Sequence, residues 1–414
     1  MILITAIIIT IILLVNKSQN NTSVLSVVLP YDLSADQIEW IEGIKTYGKD
    51  TRTCTDIFYE EENNIQSRVE KEKRRVNSSI ITLKDWNENS DDQFYEGYNK
   101  AKYVVENYKK TNCKKEKNTL RIGFSLYDSS DEFIRELTYE TLYKLKKTCE
   151  ENDVYLITDI EDGRHDSIRQ DKQIHSFINN NCDIVVINAI DPWQISNVIH
   201  KLKEKDIPVI FYNREPEGED IELWEKAYYV GSDGENLGQL QGEMVIDSFK
   251  DESLNVDKNK DGMLQYILVE GEEGHSDAIR RTDSMLKAIK RSIDSEQITS
   301  LSADWNREEA KRLFSEIDDS KIKSCEAVIC NNDEMALGVS EALSENWGYK
   351  IPVFGIDGTK ESYKAIEKNM ISGTVSQNNE LQSDIIVEII QDIWYGNQSK
   401  KGNKQYIDGT KVTL

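Results

Sequence analysis

From residue 120 onward, short apolar runs alternate with longer segments in which apolar residues recur every three or four positions. Most runs are continuously apolar, as is typical of parallel strands covered on both faces. The runs lie at Leu120–Leu126, Val154–Thr158, Asp183–Asn188, Ile207–Asn213, Ala227–Gly231, Leu264–Glu270, Ala327–Asn331 and Ile351–Ile356. Helical spacing is clear after the first run, at Ile134, Leu137, Thr141, Leu145 and Cys149. So many strands exceed one open sheet of ordinary width, and the pattern therefore predicts an α/β fold with two doubly wound parallel-sheet lobes.

The first fifteen residues have a different pattern, because only Thr5 and Thr10 interrupt an apolar run. The run is short for a membrane span, no basic segment precedes it, and the polar stretch 16–19 follows it. We interpret residues 1–19 as a signal sequence or a membrane anchor. An uncleaved anchor is favoured, because no obvious small-x-small cleavage site and no lipid-acceptor cysteine follow. The body of the protein is then expected outside the cytoplasmic membrane.

Residues 20–118 differ from the body that follows them. Two capping boxes, Ser34-x-x-Gln37 and Ser90-x-x-Gln93, mark the starts of helices. The second precedes apolar residues at spacings of four and three, namely Phe94, Tyr98, Ala101, Val105 and Tyr108. The pattern favours a helical stalk or short bundle, and it leaves open a pair of helices that binds a partner.

The charge of the chain limits its partners. It carries 75 Asp and Glu against 51 Lys and Arg residues, a formal net charge of −24, with a pI near 4.7. Nucleic-acid binding needs a clustered cationic face and docking on anionic lipid needs basic residues, so both are disfavoured. The 6 cysteines include no CxxC pair and the 4 histidines are scattered, so no zinc site is expected.

Open α/β sheets bind ligands at the carboxyl ends of their strands, so the residues that follow each predicted strand are candidate contacts. Asp and Asn dominate them, with one His, two Arg and nearby aromatic residues. The segments are 127–133, Asn188 with 191–193, 213–216, 271–277, 331–333 and Asp357, with Arg281 one turn into a following helix. Carboxylates and amides bridge adjacent hydroxyl groups, and aromatic rings cover C–H faces. This chemistry favours a neutral sugar over a phosphate, although each Asp or Asn alone is more often a helix cap.

A second constellation lies at residues 257–265. Side-chain oxygens occupy loop positions one, three, five and nine, at Asp257, Asn259, Asp261 and Gln265. Gly262 stands at position six, where an EF-hand calcium loop turns, and Met263 would offer its backbone carbonyl at position seven. Position twelve is Leu268 rather than a bidentate glutamate. An acidic surface turn therefore remains the alternative, and calcium binding requires a further carboxylate from elsewhere in the fold.

Motifs from Leu120 to Leu414 resemble those of the D-galactose/D-glucose-binding proteins of the type I periplasmic binding protein family. The matching segments occur in the same order as in that family. They are Arg121-Ile122-Gly123, Ile187-Asn188-x-x-Asp191-Pro192, Asn213-x-Glu215-Pro216, Tyr228-Tyr229-Val230-Gly231, Asn259-Lys260-Asp261-Gly262, Gly274-His275-x-Asp277-Ala278, Asn331-Asn332-Asp333 and Phe354-Gly355-Ile356-Asp357. The resemblance implies two lobes joined by three crossovers, with a single pyranose held between them.

The resemblance also assigns roles to matching positions. Phe133 and Trp305 would sandwich the sugar ring. Its hydroxyl groups would be hydrogen-bonded by Asp131, Asn188, His275, Asp277, Arg281, Asn332 and Asp357. Where the family has a sugar-contacting asparagine, this chain has Gln377, which is one methylene longer. The missing calcium ligand would be Glu326, so the resemblance favours a structural Ca²⁺ ion.

These observations divide the chain into the leader at 1–19, the extra region at 20–118 and a two-lobed sugar-binding domain at 119–414. The extra region has no counterpart in the family. We expect one lobe at about 119–213 and 377–409 and the other at about 214–376 and 410–414, in a monomeric sugar-binding body.

Three classes of function follow from the sequence. The leading one is a receptor that delivers galactose or glucose to an ABC importer. The alternative is a sugar sensor that passes closure to a membrane partner such as a chemoreceptor or histidine kinase, with residues 20–118 as the coupler. An enzyme is disfavoured, because there is no GxSxG or HExxH motif and no nucleophile beside a base. A repressor is disfavoured by the missing helix-turn-helix, the apolar leader and the acidic charge.

Overall fold

Two six-stranded sheets, each covered by helices on both faces, form the chain from residue 118 onward. This computed structural model describes residues 9–15, 23–30, 40–41, 43–46, 54–60, 81–83, 118–216, 218–348, 350–397 and 402–414. The two α/β lobes predicted from the apolar runs are confirmed.

The elements are numbered in chain order. The strands are β1 Ile9–Val15, β2 Ser23–Pro30, β3 Cys54–Glu60, β4 Ile81–Leu83, β5 Thr119–Leu126, β6 Tyr155–Asp162, β7 Ile184–Ile187, β8 Val209–Tyr212, β9 Ala227–Ser232, β10 Met263–Glu270, β11 Asp294–Ser302, β12 Ala327–Cys330, β13 Val353–Asp357, β14 Gly373–Ser376, β15 Lys404–Ile407 and β16 Thr410–Thr413. The helices are α1 Glu132–Glu151, α2 Ser167–Asn179, α3 Ile195–Lys203, α4 Gly234–Lys250, α5 Ser276–Ser292, α6 Arg307–Ser315, α7 Asp319–Ser324, α8 Asp333–Asn346, α9 Lys360–Glu367 and α10 Asn379–Trp394.

The first lobe is built on the sheet β15-β9-β8-β7-β5-β6, in which all neighbouring strands are parallel. Every residue of β7 and β8 is buried, which accounts for their continuously apolar sequences. One face packs on α1 and α10, and the other on α2 and α3.

The second lobe is built on the sheet β11-β10-β12-β13-β14-β16. Its strands are parallel except for β16, which runs antiparallel to β14. Helices α4 and α5 cover one face and α6, α8 and α9 the other, so each face has its own apolar layer.

The chain passes between the lobes three times, and one passage differs from our prediction. We placed the first crossover between residues 213 and 214, but β9 pairs in parallel with β8 and belongs to the first sheet. The first passage therefore follows Ser232, where the chain enters α4 of the second lobe. The other two passages lie between β14 and α10 and between β15 and β16.

The described parts of residues 20–118 are the strands β2, β3 and β4 and a helical segment at 40–41 and 43–46, so the described part of this region is not wholly helical as predicted. Strand β2 pairs antiparallel with β1 and parallel with β3, and β4 pairs with β1. The sequence of β2, SVLSVVLP, is rich in β-branched residues, which favour strands over helices. The helix predicted at Phe94 to Tyr108 lies outside the described residues.

A short helical segment, described at residues 40–41 and 43–46, attaches this N-terminal region to the first lobe. Lys45 is buried, its ammonium nitrogen lies 2.8 Å from Oδ1 of Asp159 in β6, and it also donates to the carbonyl of Ile160. Buried charges persist in proteins when they are paired, so this contact fixes the segment against β6.

The leader predicted at 1–19 includes β1, so its described residues are extended rather than helical. Across the described ranges, no helix is both long and apolar enough to cross a membrane.

Candidate ligand-binding site

A cavity lies where the carboxyl ends of strands from both sheets meet. It holds about 450 Å³ of free space including its open mouth, within the range of roughly 300–1,000 Å³ that is typical of small-ligand pockets. Its lining comes from both lobes and comprises Tyr127, Asp131, Phe133, Ile134, Asn188, Asn213, Arg214, His275, Asp277, Arg281, Trp305, Asn332, Asp357 and Gln377.

The structure brings together all the residues that we predicted as sugar contacts. Each lines this one cavity, although they come from loops spread between residues 131 and 377. That they contact a sugar stays a prediction. Three further lining residues, Tyr127, Asn213 and Arg214, lie in the candidate segments that follow β5 and β8 but were assigned no role. Ile134, which carries no polar signal, was neither in a candidate segment nor assigned a role.

Several lining side chains are helix caps. Asp131 Oδ1 accepts from the backbone of Ile134 at 3.0 Å, and Asn332 Oδ1 accepts from Met335 at 2.9 Å. The amide nitrogen of Asn332 also donates to the carbonyl of Trp305 at 3.1 Å. Capping fixes each side chain at the start of its helix, so the capping and binding interpretations of these residues are compatible.

His275 is electrically neutral in this site. Its burial, together with the nearby Arg214 and Arg281, lowers its pKa to about 3. Its Nδ1 accepts from the backbone of Asp277 at 3.1 Å, so the ring proton of the neutral form lies on Nε2. The ring therefore offers a single N–H donor to the cavity.

Asp357 is held between two positively polarised groups. Its Oδ1 accepts from Nε2 of Gln377 at 2.6 Å and lies 3.5 Å from the guanidinium of Arg281. The longer side chain of Gln377 thus reaches the carboxylate directly. Asp357 also has a positive φ of 140°, a conformation that is costly for a residue with a side chain and that tends to occur at functional sites.

Asp333 fixes the loop that carries Asp357. It is fully buried, and its Oδ2 accepts from the backbone of Gly358 at 2.8 Å and of Thr359 at 3.0 Å. Its Oδ1 accepts from the hydroxyl of Thr374 at 2.5 Å. Asp333 does not line the cavity; its role is to hold the loop that carries Asp357 in place.

An aromatic side chain from each lobe lines the cavity, Phe133 from α1 and Trp305 from the loop before α6. Trp305 has a φ of 66°, and His275 packs edge-on to its indole with ring centroids 5.1 Å apart. Gly271 leaves room for this ring, because a Cβ there would lie 2.3 Å from indole carbons. The indole is therefore fixed by close packing.

Three buried polar atoms of the cavity lining have no hydrogen-bond partner among the described residues. They are Asn188 Oδ1, Arg214 Nε and Arg281 Nε, and each belongs to a different loop. An unpaired buried polar atom costs free energy, and buried polar groups are almost always paired. The lining is therefore suited to a ligand that both donates and accepts hydrogen bonds.

The charges of the lining nearly balance. Burial raises the pKa of Asp131, Asp277 and Asp357, while Arg281 acts against this on all three. Three carboxyl groups, two guanidinium groups and a neutral imidazole leave little net charge. Such a lining favours a neutral polyhydroxylated ligand over a strongly charged one.

The predicted calcium loop is a tightly hydrogen-bonded turn at the start of β10. The amide groups of Asn259 and Gln265 donate to Asp261 Oδ2 at 2.8 and 2.9 Å. Asp257 Oδ2 accepts from the backbone of Gly262, whereas its buried Oδ1 has no partner among the described residues.

Glu326 adjoins this loop from the start of β12. Its oxygens accept from the backbone nitrogens of Lys258 at 2.7 Å and Gln265 at 3.2 Å. In the described residues, no group of three His, Cys, Asp or Glu side chains is arranged to hold a metal by itself. A metal here would need the amide and carbonyl oxygens of the loop as well.

Comparison with known proteins identifies relatives of the two-lobed part. Residues 122–398 match the family described as "Periplasmic binding protein domain". The D-galactose/methyl-galactoside binding periplasmic protein MglB of Haemophilus influenzae is 31% identical over 69% of this chain and 84% of its own length. The ribose import binding protein RbsB of Bacillus subtilis is 26% identical over 58% of this chain and 73% of its own.

A solved structure with the same fold is an ABC transporter solute binding protein from Bacillus halodurans with bound myo-inositol. It aligns with a TM-score of 0.58 and 26% identity over 72% of this chain and 96% of its own. These relatives are binding proteins rather than enzymes, which confirms that this chain belongs to a non-enzymatic class.

The neutral state of His275 generates a prediction about pH. Because the folded protein keeps His275 unprotonated while the unfolded chain protonates it below about pH 6.5, stability is lost as the pH falls through that value. Wild-type protein should lose up to about 1.4 kcal/mol more per pH unit than His275→Gln between about pH 6.5 and pH 4.5. Urea unfolding at several pH values measures this difference.

The control for this experiment is His200→Gln, on the exposed side of α3. It should follow the wild-type pH profile. Parallel profiles for the wild type and His275→Gln would show that His275 is charged in the folded protein and would contradict the assignment.

Proposed function

The chain belongs to the periplasmic binding protein family, and from this premise we propose that it is an extracytoplasmic receptor that binds D-galactose or D-glucose for an ABC importer. Sugar transport rests on the relatives, which include a galactoside-binding and a ribose import binding protein. The choice of hexose is our own inference.

The observation that carries the proposal is the set of unpaired polar atoms on Asn188, Arg214 and Arg281 around a cavity of nearly balanced charge. A pyranose presents hydroxyl groups around its ring, each able to donate and to accept, so one molecule can pair all three atoms. Its C–H faces can pack on Phe133 and Trp305. A phosphate or an amino acid would bring its own charge into this nearly neutral lining and would pair fewer of these atoms.

Gln377 is the main reason to test several sugars. Gln377 donates a hydrogen bond to Oδ1 of Asp357, so this oxygen has less capacity left to accept from a ligand hydroxyl. Solved structures of the same fold contain myo-inositol or D-allose, so the fold by itself does not select one ring.

The proposal predicts that D-galactose or D-glucose raises the unfolding temperature of the full chain. Ligand at about 100 times its dissociation constant should add about 2.7 kcal/mol to the free energy of unfolding. Thermal unfolding with galactose, glucose, ribose and myo-inositol measures this. A shift with ribose or myo-inositol alone would contradict the hexose assignment, and no shift with any of them would contradict sugar binding.

Trp305→Ala tests the aromatic contact. Loss of the ring should weaken hexose binding by roughly 2–4 kcal/mol, because buried aromatic area and the polar contacts around it are lost together. Gly271→Ala should also weaken binding, since its Cβ displaces the ring without removing it. Calorimetric titration measures both effects.

Trp193→Ala provides the matched control, because Trp193 is 77% exposed and does not line the cavity. Its affinity should equal that of the wild type. If Trp305→Ala lowers the unfolding temperature but keeps full affinity, the indole only packs within its own lobe.

We also propose that the loop at 257–265, together with Glu326, holds a structural Ca²⁺ ion. The unpaired buried oxygen of Asp257 supports it, and Asn259 and Gln265 lie close enough to Asp261 for their amide oxygens to join a hard cation's ligands once the amide groups turn. Burial raises the pKa of Glu326, and a bound cation would offset this by favouring its charged form.

Chelation tests the calcium proposal. EDTA should lower the unfolding temperature of the full chain and added CaCl₂ should restore it, because the ion binds the folded state. Glu326→Gln removes one of three formal charges of the loop and should reproduce part of the EDTA effect. Glu308→Gln, at an exposed position in α6, is the control and should respond as the wild type does. An unchanged unfolding temperature in EDTA would mean that the loop is an ordinary acidic turn.

A sensor is the second candidate, and the attachment of the N-terminal region favours it. The buried pair of Lys45 and Asp159 would let this region follow the movement of the first lobe. A membrane anchor in residues 1–19 would serve either function. Genes for a permease and an ATPase beside this one would support the importer, and a histidine kinase gene would support the sensor.

A further inference from the structure

A hydrogen bond joins the two lobes at the edge of the cavity. The hydroxyl of Tyr127, directly after β5 in the first lobe, donates to Oε2 of Glu272 at 3.0 Å. Glu272 follows β10 in the second lobe. When the lobes separate, these two atoms must separate as well, so the bond exists only in the closed form.

His165 supports the same hydroxyl group from behind. Its Nδ1 lies 2.7 Å from the Tyr127 hydroxyl oxygen, and its Nε2 lies 2.6 Å from Asp128 Oδ2. The two rings meet edge to face with centroids 4.4 Å apart. The backbone of His165 adopts a φ of 56°, in the left-handed region that is uncommon for residues other than glycine.

The number of protons on Tyr127 and His165 fixes which atoms donate in this arrangement. The tyrosine has one hydroxyl proton and donates it to Glu272, so its oxygen can only accept from His165 Nδ1. Asp128 likewise accepts from Nε2. Both contacts of the ring are therefore satisfied only when both ring nitrogens carry protons. A neutral ring either faces Asp128 with a lone pair or competes with Glu272 for the tyrosine proton.

We propose that Tyr127 and Glu272 form a latch that holds the two lobes closed, and that protonation of His165 strengthens it. The proposal rests on the proposed function, because the latch is expected to act on the affinity for the sugar. Of the residues in the latch, Tyr127 lines the cavity. His165 itself does not line the cavity.

The charged groups around His165 also favour its protonated form. Its hydrogen bond to Asp128 raises its pKa, burial opposes the rise, and Asp128, Glu272 and Asp131 add to it electrostatically. Other charged residues near these loops include Asp162, Arg164, Asp166, Arg169 and Glu273, with Arg214 over the Tyr127 ring. Because Glu272 adjoins the ring only on closure, the closed form binds this proton more tightly. Closure is thus favoured at low pH and weakened as the pH rises through the pKa of His165.

The test compares the affinity of the full chain for D-galactose and D-glucose between about pH 6 and pH 8.5, with His165→Gln as the main variant. Wild-type affinity should fall about three- to tenfold across this range, and the variant should lose most of that dependence. Glu272→Gln should weaken binding and also flatten the profile. Burial raises the pKa of Glu334 to about 7, so the difference between wild type and variant, rather than the wild-type profile, reports on His165.

His175→Gln is the matched control. Its side chain is 56% exposed against 54% for His165, and it also lies near an aspartate, but on the surface of α2. It should keep the wild-type pH dependence. The proposal is overturned if His165→Gln keeps it too, or if His175→Gln loses it.

Failure of the proposed function can be told apart from failure of the latch. If neither hexose binds, the proposed function fails, and small-angle scattering of the ligand-free chain decides about the latch. The wild type should have a smaller radius of gyration at low pH than at high pH, and His165→Gln should not. Equal radii for the wild type at both pH values would then overturn the latch.

Discussion

The cost of burying polar groups between the lobes is the constraint on which the rest of the site depends. Asn188, Arg214 and Arg281 are more than nine-tenths buried, yet each keeps an atom without a partner within the described residues. Such atoms destabilise a closed cavity unless a ligand pairs them, so ligand binding and closure favour each other. The parallel strands make this possible, because their carboxyl ends in both sheets meet at one place. Three short passages between the lobes hold the two sets of loops opposite each other.

The central strands of residues 118–414 could be predicted because they are buried on both faces, whereas the more exposed edge strands β11, β15 and β16 are absent from the predicted runs. Continuous apolar runs such as Ile184–Ile187 identify parallel strands without further information. The first crossover could not be placed in the same way, since β9 is buried like the central strands and only its pairing with β8 shows its lobe. The strands described within residues 20–118 could not be predicted for another reason. Capping boxes mark helix starts locally, but the pairing of β1, β2 and β3 depends on contacts between distant segments.

The lining of the cavity could also be read largely from the sequence, because position after a strand is a topological property. Asp131, Asn332 and Asp357 were selected in this way, and all of them line it. The protonation states of the lining residues could not be predicted from the sequence. That His275 is neutral follows from its burial beside Arg214 and Arg281, which come from different loops. The role of Gly271 is similarly invisible in the sequence, because the ring that fills its missing side-chain space comes from Trp305.

The residues beside the cavity explain how one fold can serve ligands of similar chemistry under different conditions. Contacts with the ligand select its hydroxyl groups. Contacts that form only on closure, such as that of Tyr127 with Glu272, determine the free energy of closing the two lobes. A titratable partner such as His165 then makes that cost depend on the surroundings of the protein without altering the sugar contacts. For a protein outside the cytoplasmic membrane, whose medium is not buffered by the cell, the affinity of the site is therefore determined by the closing contacts as well as by the lining.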